Sequence, residues 1–121
     1  APSIPLVLAD MRDLPFRDES FDAVWAAACL MHVPKLEAAH VLKRLSHIVR
    51  PGGLLAATVT YGTRSCVLTD GWMPGRYFAR WQKAALARVV EQSDWKIDSL
   101  RVVSNQERKG RWLNLIARRD G

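Results

Sequence analysis

The sequence of 121 residues lacks any long apolar run. The longest, Ala23 to Val33, is interrupted by His32 and falls well short of the roughly 18 residues a membrane-spanning helix needs. It also lacks the basic-then-apolar opening of a secretory signal, so the expected compartment is the cytoplasm and no membrane partner is expected. Cysteine is scarce: Cys29 and Cys66 stand far apart with no CxxC or Cys/His ligand spacing. That pattern indicates neither a disulfide framework nor a metal site, and both thiols are expected to be buried. Internal repeats and low-complexity stretches are absent as well. What is present is 49% hydrophobic and 25% charged residues, the make-up of an ordinary globular protein. The length predicts one domain over residues 1–121.

Charge is unevenly placed. Of a formal net charge of +6, residues 1–60 contribute nothing, with six Lys/Arg against six Asp/Glu, whereas residues 61–121 hold twelve against six. Such asymmetry can mark an anionic partner such as RNA. The preferred reading is a solubilising surface, because Arg76, Arg80, Lys83, Arg88 and Lys96 are scattered and only Arg108-Lys109-Gly110-Arg111 is dense.

The pattern along the chain alternates strands with helices. Ile4 to Ala9 is a continuous apolar run closed by Asp10, which reads as a strand buried on both faces, as in parallel sheets. Arg12 to Ser20 reads as a surface loop with Leu14 and Phe16 turned inward, and Phe21 to Ala27 as a second buried strand. From Pro34 to Val49, Ala38, Val41, Leu42, Leu45, Ile48 and Val49 recur at helical spacing, and Pro51-Gly52-Gly53 is expected to end that helix in a left-handed cap. Leu54 to Thr60 reads as a third strand, followed by a glycine-containing loop long enough to carry function. Phe78, Trp81, Ala85 and Val89 predict a second helix over Tyr77–Gln92. Trp95 to Val103 and Trp112 to Arg118 read as an antiparallel hairpin joined by the basic turn. The order of elements predicts an α/β layered sheet.

Five segments then resemble the type 11 family of class I S-adenosylmethionine-dependent methyltransferases: Asp10-Met11-Arg12-Asp13-Leu14-Pro15-Phe16, Ser20-Phe21-Asp22-Ala23-Val24, His32-Val33, Arg50-Pro51-Gly52-Gly53, and Gly75-Arg76-Tyr77-Phe78. They occur in the family's order and spacing over nearly the whole chain. The resemblance implies a Rossmann-like sheet, mostly parallel with a C-terminal antiparallel hairpin, S-adenosyl-L-methionine as cofactor, and a small-molecule methyl acceptor; methylation of RNA and a non-catalytic module of the same scaffold are the alternatives.

Residue by residue, Asp10 matches the acid that accepts a hydrogen bond from the adenine amine. A carboxylate only accepts and an exocyclic amine only donates, so the pair reads adenine. The competing reading is that Asp10 caps its own turn. Met11 matches the residue whose backbone N–H meets the neighbouring ring nitrogen, and Asp13 reads as loop surface. Ala26 and Ala27 match the stretch that passes beside the methionine portion, which runs on to His32. That histidine is a candidate general base, or else only a hydrogen-bonding partner of the helix that Pro34 opens. Trp72 and Tyr77 match a substrate-covering lid, while Phe78 and Trp81 are assigned to helix packing. Asp94 stands where the family has glycine, and Asp tolerates the left-handed conformation better than most residues.

One departure is larger. The family's first strand ends in GxGxG, which directs N–H groups at the cofactor carboxylate, and its second ends in an acid for the ribose. No three of the seven glycines here form such a loop. The resemblance therefore implies a truncated sheet beginning at the family's third strand, weakened cofactor binding, and homo-oligomer formation through exposed strand edges.

Overall fold

Ala38, Val41, Leu42, Leu45 and Ile48 line one side of a helix and are all buried, as their spacing predicts. In the computed structural model, which describes residues 9–27, 30–62, 66–67, 77–104 and 110–120, this helix is α1 (Lys35–Ile48). It connects two parallel strands, β1 (Phe21–Ala26) and β2 (Val49–Tyr61), and is preceded by a 3-10 turn, Leu30–His32. Two short strands, β3 (Cys66–Val67) and β4 (Tyr77–Phe78), pair antiparallel with each other. β5 (Arg80–Trp81) then runs parallel to the end of β2, and α2 (Lys83–Glu91) follows. The chain closes on β6 (Trp95–Ser104) and β7 (Arg111–Arg119), the expected antiparallel hairpin. The main sheet has the order β1-β2-β7-β6, with β7 antiparallel to β2, and the fold is α/β.

One face of the sheet holds the core. Leu55, Ala57 and Val59 of β2 and Leu113, Leu115 and Ala117 of β7 are buried in one cluster with the apolar side chains of α1 and with Leu86 and Val90 of α2. Trp95 seals the cluster. Only 1% exposed, it donates from Nε1 to the carbonyl of Leu42 in α1 at 2.9 Å. Leu14 and Phe16 pack against this core from the loop, as expected.

Three expectations are corrected. The Phe21 strand is not buried on both faces: Val24 and Ala26 face the helices, but Phe21, Ala23 and Trp25 are exposed, Trp25 to 80%. The reason is that the described helices lie on one face only, leaving Trp25, Leu54 and Ile116 on the other. Pro51-Gly52-Gly53 does not cap α1. Val49, already extended, ends that helix, and the three residues lie inside β2, with Gly52 at φ 79°. There they absorb an irregularity, because β1 advances from Phe21 to Ala23 while β2 advances from Val49 to Leu54.

The second helix starts at Lys83 rather than Tyr77. Backbone pairing claims the residues before it. The Ala79 N–H donates to Met31 O at 2.6 Å, Thr60 Oγ1 donates to Ala79 O at 3.1 Å, and the Gly62 N–H donates to Trp81 O at 3.1 Å. Phe78 and Trp81 therefore do not belong to a helix stripe, although Trp81 is buried, 4% exposed. The strand read at Ile4 to Ala9 and the buried state of Cys29 and of the Cys66 side chain lie outside the described residues, apart from Ala9, which is exposed. Among the described residues, no helix is long and apolar enough to cross a membrane.

Candidate functional site

Ligands of open α/β sheets sit beyond the carboxyl ends of the parallel strands. In this fold that end is formed by Ala26 and Ala27 leaving β1, by Thr60 to Gly62 leaving β2, and by the turn at Asp10.

The Asp10 turn is built by its own neighbours. Its backbone carbonyl accepts from the Asp13 N–H at 2.9 Å, and its Oδ1 accepts from the Arg12 N–H at 2.9 Å, the local pattern that aspartate makes in turns. The Arg12 guanidinium then grips the same carboxylate, with Nε 3.1 Å from Oδ1 and Nη2 2.8 Å from Oδ2. Side-chain and then backbone hydrogen bonds from Arg12 hold the Asp10 carboxyl at about 2, below its ordinary 3.8. Arg12 is itself anchored. Its Nη1 lies 3.3 Å from Glu37 Oε2 in the first turn of α1, and its carbonyl lies 3.2 Å from His40 Nε2. Asp10 is thus an acceptor held in its ionised form down to acid pH, on a turn tied to a helix. Both the turn-capping role and an exposed carboxylate are realised at once.

Met11, half-buried, and Ala26, buried, line one groove of about 300 Å³. Leu14 and Phe16 from the loop, the strand residues Phe21 to Ala26 and Leu45 and Ile48 of α1 complete its described lining, except Asp22. Two of these residues, Phe16 and Phe21, meet edge to face with ring centres 5.0 Å apart. The lining residues are predominantly apolar, so the groove suits a flat or aliphatic group better than a charged one. Ala27, which follows Ala26 in the chain, is exposed.

His32 is half-buried at the end of the 3-10 turn, two residues before Pro34, and is not among the groove's lining residues. Asp13 is exposed, as the loop reading had it. Trp72 and the Tyr77 side chain lie outside the described residues; the Tyr77 backbone belongs to β4. Asp94 adopts φ 69°, in the left-handed region that its glycine-like position implied. Among the described residues, no three His, Cys, Asp or Glu side chains converge to hold a metal ion.

Sequence reasoning missed the Arg12–Glu37 anchor. The Asp10–Arg12 spacing is a legible signal for a turn, whereas Glu37 comes from a separate element that only the fold brings close.

Comparisons with known proteins find similarity to methyltransferases. A family model described as a methyltransferase domain matches residues 1–57. Methyltransferase GfsG of Streptomyces halstedii is 39% identical over 64 residues, covering 51% of this chain and 22% of the relative. The 27-O-demethylrifamycin SV methyltransferase of Amycolatopsis mediterranei is 46% identical over 48 residues, covering 40% and 17%. The chain thus spans about a fifth of the length of these curated relatives. Among solved structures, the Burkholderia thailandensis 1,6-didemethyltoxoflavin-N1-methyltransferase, with bound 1,6-didemethyltoxoflavin and S-adenosylhomocysteine, superposes with a TM-score of 0.81 at 18% identity. That match covers 95% of this chain and 50% of the solved one, and it establishes the shared fold.

Proposed function

We propose that the chain is part of a class I S-adenosylmethionine-dependent methyltransferase and acts in the transfer of a methyl group from S-adenosylmethionine to a small-molecule acceptor. The observation that carries the reading is the meeting of Met11 and Ala26 at one apolar groove, beside the ionised Asp10, within the segment that matches the methyltransferase-domain model.

The residues fit the adenosine part of the cofactor. Both Asp10 oxygens already accept from Arg12, and each has a further lone pair with which the exposed carboxylate accepts from the adenine amine; Met11 offers its backbone beside the ring, and Ala26 and Ala27 leave room because they carry only a methyl group. When bound, S-adenosylmethionine supplies a methyl group on a sulfonium that a nucleophile displaces. His32, on the turn after β1, accepts the proton of an attacking oxygen or nitrogen. Trp72 and Tyr77 cover the acceptor. Binding by these residues alone is expected to be weak, because the sequence holds no GxGxG motif of the kind that aims N–H groups at the methionine carboxylate.

The same reading extends to assembly. β1 is an edge of the described sheet, flanked by the apolar groove, and we propose that this edge pairs with a second copy of the chain.

Calorimetric titration of S-adenosylhomocysteine into the protein and into Asp10→Ala tests the core of the proposal. The variant is expected to bind roughly tenfold or more weakly, the worth of one charge-assisted hydrogen bond. Equal affinity in the two proteins overturns the role of Asp10.

A further inference from the structure

Two cations lie on two neighbouring aromatic rings at the carboxyl end of β2. Tyr61 and Trp81 are direct partners in the parallel ladder between β2 and β5, so their side chains share one face of the sheet. On the other side of β2, Thr60 pairs with Trp112, which brings Arg111 opposite Tyr61. The Arg111 guanidinium lies 4.6 Å from the centre of the Tyr61 ring, and Lys35 Nζ lies 5.2 Å from the centre of the Trp81 ring.

Neither cation has a carboxylate among the described residues: the ion pairs there use Arg12, Lys43, Arg44, Arg50, Arg118 and Arg119. A second, independent observation points the same way. Trp81 is buried, and its indole N–H has no acceptor among the described residues. A buried donor without a partner is costly, and such groups concentrate where a ligand completes the bonding. Lys35 is also the first residue of α1, whose N-terminal end carries no side-chain cap and has the positive end of the helix dipole.

We propose that Lys35, Arg111 and the Trp81 indole form a binding site for the carboxylate of an acidic methyl acceptor. The inference rests on the methyltransferase reading and narrows its substrate class. The hydrogen bonds from the Ala79 N–H to Met31 O and from Thr60 Oγ1 to Ala79 O tie this corner to the turn after β1. An acceptor anchored there lies at the same strand ends as Ala26 and Ala27. Guanidinium offers a carboxylate two parallel hydrogen bonds, and ammonium adds a point charge. Among the described residues the surroundings are aromatic, without the run of backbone N–H groups that cradles phosphate, which favours carboxylate.

The test needs no cofactor, so it separates this site from the methyltransferase reading. Benzoate, its neutral analogue benzamide and inorganic phosphate are titrated into the isotope-labelled protein while the indole N–H resonance of Trp81 is followed. Benzoate is expected to move that resonance saturably, and Lys35→Gln with Arg111→Gln to weaken the binding tenfold or more. Both side chains lie at the surface rim, and an unchanged thermal midpoint checks that the double variant folds. Benzamide acting like benzoate, or the double variant binding benzoate with wild-type affinity, overturns the site. Phosphate binding more tightly than benzoate overturns the carboxylate assignment. Benzoate binding as expected, alongside S-adenosylhomocysteine affinity indifferent to Asp10→Ala, leaves the anion site standing and removes Asp10 from the cofactor site.

Discussion

Arg12 holds Asp10 twice over, with its backbone N–H 2.9 Å from Oδ1 and Nη2 2.8 Å from Oδ2. The same guanidinium reaches Glu37, so the orientation of the carboxylate depends on α1 as well as on the turn. Because the folded value lies at about 2, below the ordinary 3.8, the interaction is fully present above the ordinary carboxylate range and is lost as pH falls toward 2. An NMR titration of the Asp10 carboxyl carbon is expected to show a midpoint near 2 in the wild type and a return toward 3.8 in Arg12→Ala. A midpoint unmoved by the substitution would contradict the clamp.

Gly53 is required by space, and Gly52 by conformation. A Cβ on Gly53 would sit 2.2 Å from Val49 Cγ1, 2.6 Å from Asp22 O and 2.9 Å from Arg50 O. Two of these are backbone atoms of the β1–β2 irregularity, which cannot yield without loosening the pairing of the strands. Gly53→Ala is expected to cost about 3 kcal/mol, lowering the thermal midpoint by roughly 10 °C. Gly52→Ala meets nothing within 4 Å but is held at φ 79°, so about 1 kcal/mol is expected from backbone strain alone. Equal losses for the two variants, measured by urea unfolding, would refute the distinction.

The Trp95 indole joins β6 to α1 through the Leu42 carbonyl. Trp95→Phe removes that donor, opens a small void and leaves the rest of the packing in place. A loss of about 1–3 kcal/mol is expected, combining one net hydrogen bond with the missing ring volume. Chemical denaturation checks it, and a loss below about 0.5 kcal/mol would mean that the bond contributes little.

How much was legible varies with how local each signal is. α1 was readable because its buried stripe alone settles its period, and the hairpin because Trp95 to Val103 and Trp112 to Arg118 carry strand composition on both sides of a basic turn. Asp94 was readable from the tolerance of Asp for positive φ. The Tyr77 to Trp81 segment was not: its apolar spacing fits a helix, and bonds from Met31, Thr60 and Gly62, distant in sequence, decide otherwise. The exposure of β1 was equally hidden, since an apolar strand reads the same whether one face or both are covered. At the candidate site, Asp10, Met11 and Ala26 could be named from motif order, but the Glu37 anchor and the paired cations on Tyr61 and Trp81 arise only from folding.

Trp25 tests the proposed self-association. It is 80% exposed near the carboxyl end of an edge strand of the described sheet, and its ladder partner Ala56 and next neighbour Ile116 continue an apolar row across the uncovered face. A tryptophan left in water contributes nothing to the monomer's core, so Trp25→Lys is expected to change monomer stability by less than about 0.5 kcal/mol. A lysine on a strand edge, by contrast, opposes pairing with another strand. Sedimentation velocity over a concentration series is therefore expected to show the wild type associating and Trp25→Lys shifted toward monomer, with equal denaturation midpoints at low concentration. A wild type that stays monomeric throughout the series would remove the second copy as the partner of β1, and association unchanged by the lysine would move the interface away from this edge.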